Sequence, residues 1–198
     1  SGACRTDANP KGRSHPRTIA KGKVIESFPY TGELFAPLAP LLSGLPPNPS
    51  LTALQGLIAK RPVYTRSGLP LRFILPVDDG LVYESRIWQT GRVATRAENW
   101  HDFFNALVWL TFPQLKGALN ARHAQWAAKE TSGRGRARDA LTHFDECGAM
   151  LVASDRSLLE LVREFRWKTL FWERRGDLQT TLRCFIFGHG TYEQLRQP

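Results

Sequence analysis

The feature that most constrains this chain is a pair of consecutive helical patterns at its centre, "NWHDFFNALVWLTFPQLKGALNARH" (99–123). Apolar residues between Trp100 and Val108 recur three and four positions apart, which is the spacing of one face of an α-helix. Asn99 is a suitable N-cap, and Pro113 ends the first helix and suits the first turn of a second. The sequence therefore predicts two helices joined at Pro113 and packed as an αα-hairpin.

The two predicted helices also carry polar residues. The second has a polar stripe of Lys116, Asn120 and His123 beside its apolar stripe, and the first has His101 followed one turn later by Asn105. In a hairpin the start of one helix approaches the end of the next, so we expect His101 and His123 to lie close together. The pattern leaves two alternatives open: these residues form a site, or they are helix caps and the solvent-facing side of core helices.

The segment before the helical pair predicts shorter elements. The prolines of 35–50 favour an extended segment, and Ser50 is placed to cap a short helix. Residues 71–75 have the composition of a strand, and 81–91 is expected to pair with it.

After the two central helices, the sequence predicts two β-like runs within 139–154, around a turn at 145–148. Ser154 or Asp155 is expected to cap a further helix. The 4-3-4-3 spacing of the residues Leu178, Leu182, Phe185, His189 and Tyr192 predicts one long helix.

Together these patterns predict the α+β class: a helix-dominated single domain with a central αα-hairpin and a small antiparallel β element. We expect residues 26–198 to form this domain, since the 198-residue chain is long enough for a full core. Residues 1–25 are predicted to be a basic, disordered leader.

The net charge of +9 points to an anionic partner, but much of it comes from the leader. Residues 1–25 contain six Lys and Arg residues and one acidic residue. Nucleic acid binding and a merely solvated tail both explain this positive charge. No apolar run has the length of a membrane span, and no secretory signal is evident, so a cytoplasmic protein without membrane contact is expected. Three cysteines with no CxxC pair support neither a disulfide framework nor a cysteine-rich zinc site, and Cys184 is expected to be a core residue.

The histidines are the main candidates for chemistry. His101, in the first turn of a helix, is expected to be neutral, because the positive end of the dipole disfavours imidazolium. His123 and His189 lie on inward faces, and Asp145 offers a carboxylate to orient a histidine or to bind a metal. Two or three histidines with a carboxylate suit zinc or another divalent ion, although their spacing matches no compact ligand motif.

The predicted catalytic residues are therefore His101, Asp102, His123, Asp145 and His189. The predicted substrate-binding residues, which would position or neutralise an anionic small molecule, are Asn105, Lys116, Asn120, Lys168 and Arg138.

Four blocks of the sequence, "NWHDFFNALVWLTFPQLKGALNARH", "RARDALTHFDECG", "WKTLFWERR" and "FGHGTYEQL", resemble in this order an uncharacterised bacterial family, domain of unknown function 3025. The similarity extends from about Tyr83 to Leu195. It implies a single cytoplasmic domain without an established activity and assigns no role to any residue. The polar residues within the blocks are His101, Asp102, Asn105, Asn120, His123, Asp139, Asp145, Glu146, Lys168 and His189.

Three functions remain open at this point. The preferred one is a hydrolase-type enzyme with a His/Asp pocket, possible divalent-metal dependence and an anionic substrate. The alternative is a nucleic-acid-binding module that uses the leader, the arginines of 134–138 and Trp167 or Trp172 as stacking surfaces. The third is a structural or partner-binding domain without catalysis.

Overall fold

The computed structural model describes residues 32–43, 45–46, 48–129 and 135–196; the predicted leader and Arg134 lie outside these ranges. A 3-10 turn at Glu33–Phe35 opens the described part, and a π-helical turn at Thr169–Glu173 precedes α8. The helices are α1 (Ala39–Leu42), α2 (Leu51–Lys60), α3 (Tyr83–Thr90), α4 (Trp100–Thr111), α5 (Pro113–Ala127), α6 (Arg136–Cys147), α7 (Arg156–Arg163), α8 (Arg175–Thr181) and α9 (His189–Arg196). The strands are β1 (Arg72–Ile74), β2 (Arg92–Ala94), β3 (Ala149–Ala153) and β4 (Leu182–Ile186).

The helix-dominated α+β class is confirmed. The strands of the described residues form two small sheets, one of β1 and β2 and one of β3 and β4. β1 and β2 run parallel with Phe73 opposite Val93, whereas β3 and β4 run antiparallel with Leu151 opposite Cys184. An antiparallel element is therefore present, but it follows the central helices, whereas the sequence predicts the paired strands before them, within 71–91.

The two central helices begin and end where their caps predict. The side chain of Asn99 accepts a hydrogen bond of 2.9 Å from the amide of Asp102, and Pro113 opens α5. Only Phe112 lies between the two helices, and each has its main packing partner elsewhere: α4 packs on α9, and α5 packs on α3 and α6. The neighbours of the polar residues on α4 and α5 are therefore set largely by other helices.

Two predictions for the first half of the chain are wrong. Within 35–50, residues 39–42 are not extended but form α1, because Pro40 falls in the first turn, where a missing N–H costs nothing. Residues 83–90 form α3 instead of a strand, since Tyr83 and Ile87 are four positions apart and share an inward face. β1 consequently pairs with β2, beyond this helix.

Two predictions for the second half are also wrong. The first β-like run and the turn at 145–148 are replaced by α6, whose Leu141 and Phe144, three positions apart, pack against the core. The second run forms a strand as predicted, β3. The predicted long helix over 178–192 is interrupted by β4, which pairs with β3. Short apolar runs fit either structure by periodicity alone. Cys184 lies on this strand and is exposed, so it is not a core residue.

α4 lies at the centre of the core. Its residues from Phe103 to Leu110 are all buried, and they contact core residues of α2, α9 and the first turns of the chain. None of the helices in the described ranges combines the length and the apolar character that a membrane-spanning helix requires. The cytoplasmic location stays a prediction.

Candidate metal centre

Three side chains from three helices converge at one point. They are His101 in the first turn of α4, Glu146 near the end of α6 and His189 at the start of α9. Nε2 of His101 lies 3.1 Å from Oε2 of Glu146, and Nε2 of His189 lies 3.5 Å from Oε1 of the same carboxylate. The two imidazole rings are 4.5 Å apart between centroids, nearly perpendicular to each other. One ligand atom from each residue lies within 4.8 Å of the other two.

Glycines allow α9 to approach α6 closely enough for this contact. A β-carbon on Gly190 would lie 2.7 Å from Oε2 of Glu146, where the carboxylate approaches. A β-carbon on Gly188 would lie 2.5 Å from both the amide nitrogen of Cys147 and the carbonyl oxygen of Glu146. Both distances are far below van der Waals contact, so glycine at these positions places His189 beside Glu146.

A buried network supports the cluster from behind. Lys116 of α5 is 3% exposed, and its ammonium group donates to both oxygens of Asp145, at 2.7 and 2.8 Å. It also donates to the side-chain oxygen of Asn105, at 2.7 Å, and the amide of Asn105 donates to the hydroxyl of Tyr83, at 2.5 Å. Oδ2 of Asp145 in turn lies 3.8 Å from Nδ1 of His189. The network fixes the carboxylate behind His189.

The pKa values of the two histidines are shifted in opposite directions. Burial, together with the charge of Lys116, lowers the pKa of His189 to about 4, so this ring is neutral near pH 7. Burial also acts to lower the pKa of His101, but the hydrogen bond and charge of Glu146 outweigh it and raise the pKa above 6.5. The direction of this shift is opposite to the one expected from the helix dipole, because a carboxylate from α6 dominates.

Asp102 does not point into the cluster. Its carboxylate accepts hydrogen bonds from the guanidinium and the backbone amide of Arg96, at 2.8 to 2.9 Å. Its Oδ1 also lies 3.4 Å from Nδ1 of His101. Burial opposes ionisation of Asp102, but the bonds from Arg96 outweigh it and lower the pKa of this carboxyl. Asp102 thus links His101 to a half-exposed guanidinium.

The remaining predicted residues lie outside the cluster. Asn120 donates to the carboxylate and carbonyl of Glu84, at 2.6 and 2.9 Å. His123 is buried on α5 two turns beyond Lys116, which is about 10 Å along the axis. Arg138 lies in the first turn of α6, at the other end of the helix from Glu146. Lys168 is exposed, just before the π-helical turn that packs mainly on α7 and α8.

Sequence reasoning missed Glu146 as a member of the site. The turn predicted at 145–148 includes Asp145 and Glu146, whereas Leu141 and Phe144 form an inward stripe of α6 that continues to Cys147. Reading that stripe as a helix would have placed both acids in its last turns. Tyr83 and Glu84, the partners of Asn105 and Asn120, were missed as well, and no local signal identifies them, since their partners are distant in sequence.

Two imidazoles and one carboxylate are a ligand set for zinc and for other divalent transition metals. The side chain of His189 is 4% exposed, whereas those of His101 and Glu146 are 31% and 41% exposed. Protein therefore closes one side of the cluster and leaves the other side reachable by water. Such a half-open site is the arrangement of catalytic rather than structural metal centres.

Comparison with known proteins places this chain in a family. A family described as "Protein of unknown function (DUF3025)" matches residues 71–198, so the chain belongs to that family. The match covers every residue of the cluster and of the network behind it. No curated protein and no solved structure matches the chain.

Proposed function

We propose that this protein is a divalent-metal-dependent hydrolase whose ion is bound by His101, Glu146 and His189. The observation that carries the proposal is the convergence of these three ligands from α4, α6 and α9 within 4.8 Å. A divalent ion held there would lower the pKa of a bound water and polarise a carbonyl or phosphoryl oxygen.

The spacing of the ligand atoms supports an ion between them. Ligands of a tetrahedral zinc ion lie about 2.0–2.1 Å from the metal and therefore roughly 3.4 Å from one another. The two nitrogen–oxygen distances to Glu146, 3.1 and 3.5 Å, bracket that separation. An ion would draw together three ligand atoms that already lie within 4.8 Å of one another.

The side of His189 that faces away from Glu146 supports the same assignment. Its Nδ1 is buried and has no hydrogen-bond partner among the described residues, and Oδ2 of Asp145 is 3.8 Å away. A histidine that binds a metal through Nε2 usually donates its Nδ1–H to a carboxylate or carbonyl. Asp145, held by Lys116, would orient His189 in this way and is a positioning residue.

An anionic substrate is supported by Arg96. Its guanidinium is 59% exposed and is held next to His101 through the shared partner Asp102. A guanidinium fixed at the rim of a metal centre can bind a phosphate or carboxylate group in a bidentate manner. We therefore assign Arg96 to substrate binding.

The ion is tested by titrating the apo-protein with Zn²⁺ and Mn²⁺ in a calorimeter. Wild type is expected to bind one ion, and His101→Ala and Glu146→Gln are expected to bind it at least about tenfold more weakly. His143→Ala is the matched control, because His143 is an exposed histidine of α6 that lies 3.5 Å from Cys147 Sγ. If His143→Ala loses the ion and His101→Ala keeps it, the site is misassigned. If wild type binds no ion, the histidines are structural and the proposal is wrong.

The substrate class is tested with nitrophenyl esters of acetate and of phosphate. Metal-loaded wild type is expected to prefer the phosphate esters, and Arg96→Gln is expected to raise KM for them while leaving neutral esters unchanged. A KM of Arg96→Gln for the phosphate esters equal to that of wild type would show that Arg96 does not bind substrate. If the metal-loaded protein cleaves neither class of ester, the proposed hydrolysis of these esters is wrong. The ion titration tests metal binding independently of this result.

A further inference from the structure

Three exposed aromatic rings lie together on the segment that connects α7 to α8. They are Phe165, Trp167 and Phe171, which are 73%, 45% and 58% exposed, and we call them the aromatic platform. Phe165 meets Trp167 edge to face, with centroids 5.6 Å apart, and Trp167 lies nearly parallel to Phe171 at 6.1 Å. Burying such rings would remove large apolar areas from water, so their joint exposure indicates a surface that meets a partner.

The backbone conformation that holds the aromatic platform outward is strained. Phe165 has φ of 55°, at the position after the C-cap of α7 where helices usually place glycine. The amides of Arg166 and Phe165 donate to the carbonyls of Leu161 and Val162, which is the hydrogen-bond pattern of a Schellman motif. A bulky residue in the left-handed region is strained, and it puts the ring into solvent instead of against the core.

A second uncommon backbone feature follows immediately. The π-helical turn Thr169–Glu173 carries Phe171 and is closed by a 2.8 Å bond from the amide of Arg174 to the carbonyl of Thr169. Turns of this kind are rare and occur frequently at functional sites. Two such features within one exposed segment support a functional role for the rings.

Cations alternate with the rings along the segment. Residues 163–175 contain five Lys and Arg, which are Arg163, Arg166, Lys168, Arg174 and Arg175, against Glu164 and Glu173, a net charge of +3. The side chains of Arg163 and Arg166 are 73% and 58% exposed. Lys168, which the sequence suggested for binding an anionic substrate, belongs to this surface.

We propose that the aromatic platform binds single-stranded nucleic acid, with bases stacked on its rings and phosphates contacted by Arg166 and Lys168. Stacking platforms flanked by cations bind single strands without sequence preference, since every base has a π-face. An anionic membrane fits less well, because the exposed Glu164 and Glu173 would approach the lipid headgroups together with the rings.

The experiment measures anisotropy of a fluorescein-labelled oligothymidylate of about 15 nucleotides, which spans one single-strand site. Wild-type full-length protein is expected to bind it more tightly than a duplex of equal length. Phe171→Ala is expected to weaken binding about fivefold or more. Lys168→Gln is expected to reduce the slope of log K against log salt by about 0.7.

Phe165→Gly separates binding from folding. Glycine accepts the left-handed conformation, so this variant is expected to keep or raise the melting temperature while binding the oligonucleotide more weakly. Tyr64→Ala is the matched control, because Tyr64 is 60% exposed and lies before β1, outside the platform; its binding should equal that of wild type.

Two results would overturn the proposal. One is equal oligonucleotide affinity of wild type, Phe165→Gly and Phe171→Ala, which would place any binding elsewhere on the chain. The other is platform-dependent binding to vesicles containing phosphatidylglycerol with no binding to the oligonucleotide, which would make the surface a membrane contact.

Discussion

Lys116 places a positive charge in the interior of the protein. It is 3% exposed, and Asp145 and Asn105 supply its oxygen partners. Removing an ion from water costs several kcal/mol, and here the pairing and the hydrogen bonds offset that cost. Lys116 therefore holds Asp145 close to His189.

Removing one member of this pair is expected to be more harmful than removing both. Lys116→Met should lower the free energy of unfolding by about 3–5 kcal/mol, because Asp145 is left charged and buried. The double variant Lys116→Met/Asp145→Leu should recover part of this loss in a urea titration. A loss below about 1 kcal/mol for the single variant would mean that water reaches the pair.

Gly188 determines how closely α9 approaches α6. Gly188→Ala is expected to lower the free energy of unfolding by about 1–3 kcal/mol, because the methyl group would overlap main-chain atoms of Cys147 and Glu146. Gly56→Ala is the matched control, since a methyl group there meets nothing within 4 Å and should add about 0.5–1 kcal/mol of helix stability. Equal effects of the two substitutions would contradict the close approach.

At the scale of secondary-structure elements, α3 is held to the loop before it by one ion pair. The guanidinium of Arg86 donates to both oxygens of Asp79, at 2.6 to 3.2 Å, and to the carbonyls of Val77 and Leu81. The hydrogen bonds from Arg86 lower the pKa of Asp79 from 3.8 to about 2. The loop is thus tied to α3 by a carboxylate that stays ionised at moderately acidic pH.

This ion pair predicts a pH-dependent stability. Because the pKa of Asp79 is depressed in the folded protein, its contribution is complete above pH 3.8 and is lost as the pH falls through about 2. Asp79→Asn should melt at a lower temperature than wild type at pH 6, and the difference should vanish near pH 2. Asp78→Asn removes the neighbouring exposed carboxylate and is the control. A difference that persists unchanged to pH 2 would contradict this account.

At the scale of the whole molecule, the candidate metal centre joins three helices that lie far apart in sequence. His101, Glu146 and His189 come from α4, α6 and α9, which all pack together through the core. An ion bound to all three would bind the folded protein and not the unfolded chain. Metal binding should therefore stabilise the entire fold and not one element.

A thermal melt measures this coupling. With Zn²⁺ at about 100 times Kd, wild type should gain roughly 2.7 kcal/mol and melt about 5–10 °C higher than the protein in EDTA. His189→Ala should show no such increase, while His143→Ala should show the full increase. A shift of equal size in wild type and His189→Ala would assign the stabilisation to another site.

The helices that the sequence predicts correctly are those with strong local signals. Asn99 and Pro113 fix the starts of α4 and α5, and Ser50 and Asp155 cap α2 and α7 with side-chain bonds to nearby amides. Caps and helical periodicity act over a few residues, so the sequence alone determines these boundaries and the helix-dominated class. Short apolar segments such as β4 lack these signals, and their pairing with a distant strand decides their structure.

The sequence by itself determined that Lys116 and Asn120 share a polar stripe of α5 and that His189 lies on an inward face, and all three residues are buried. Only the tertiary structure decided which of them meet. The packing of α4 and of α6 on α9 brings His101 to Glu146 across 45 positions of sequence, whereas His123 remains two turns away from Lys116 along α5. Contacts of this kind depend on how helices pack on one another, and no local pattern of residues encodes that arrangement.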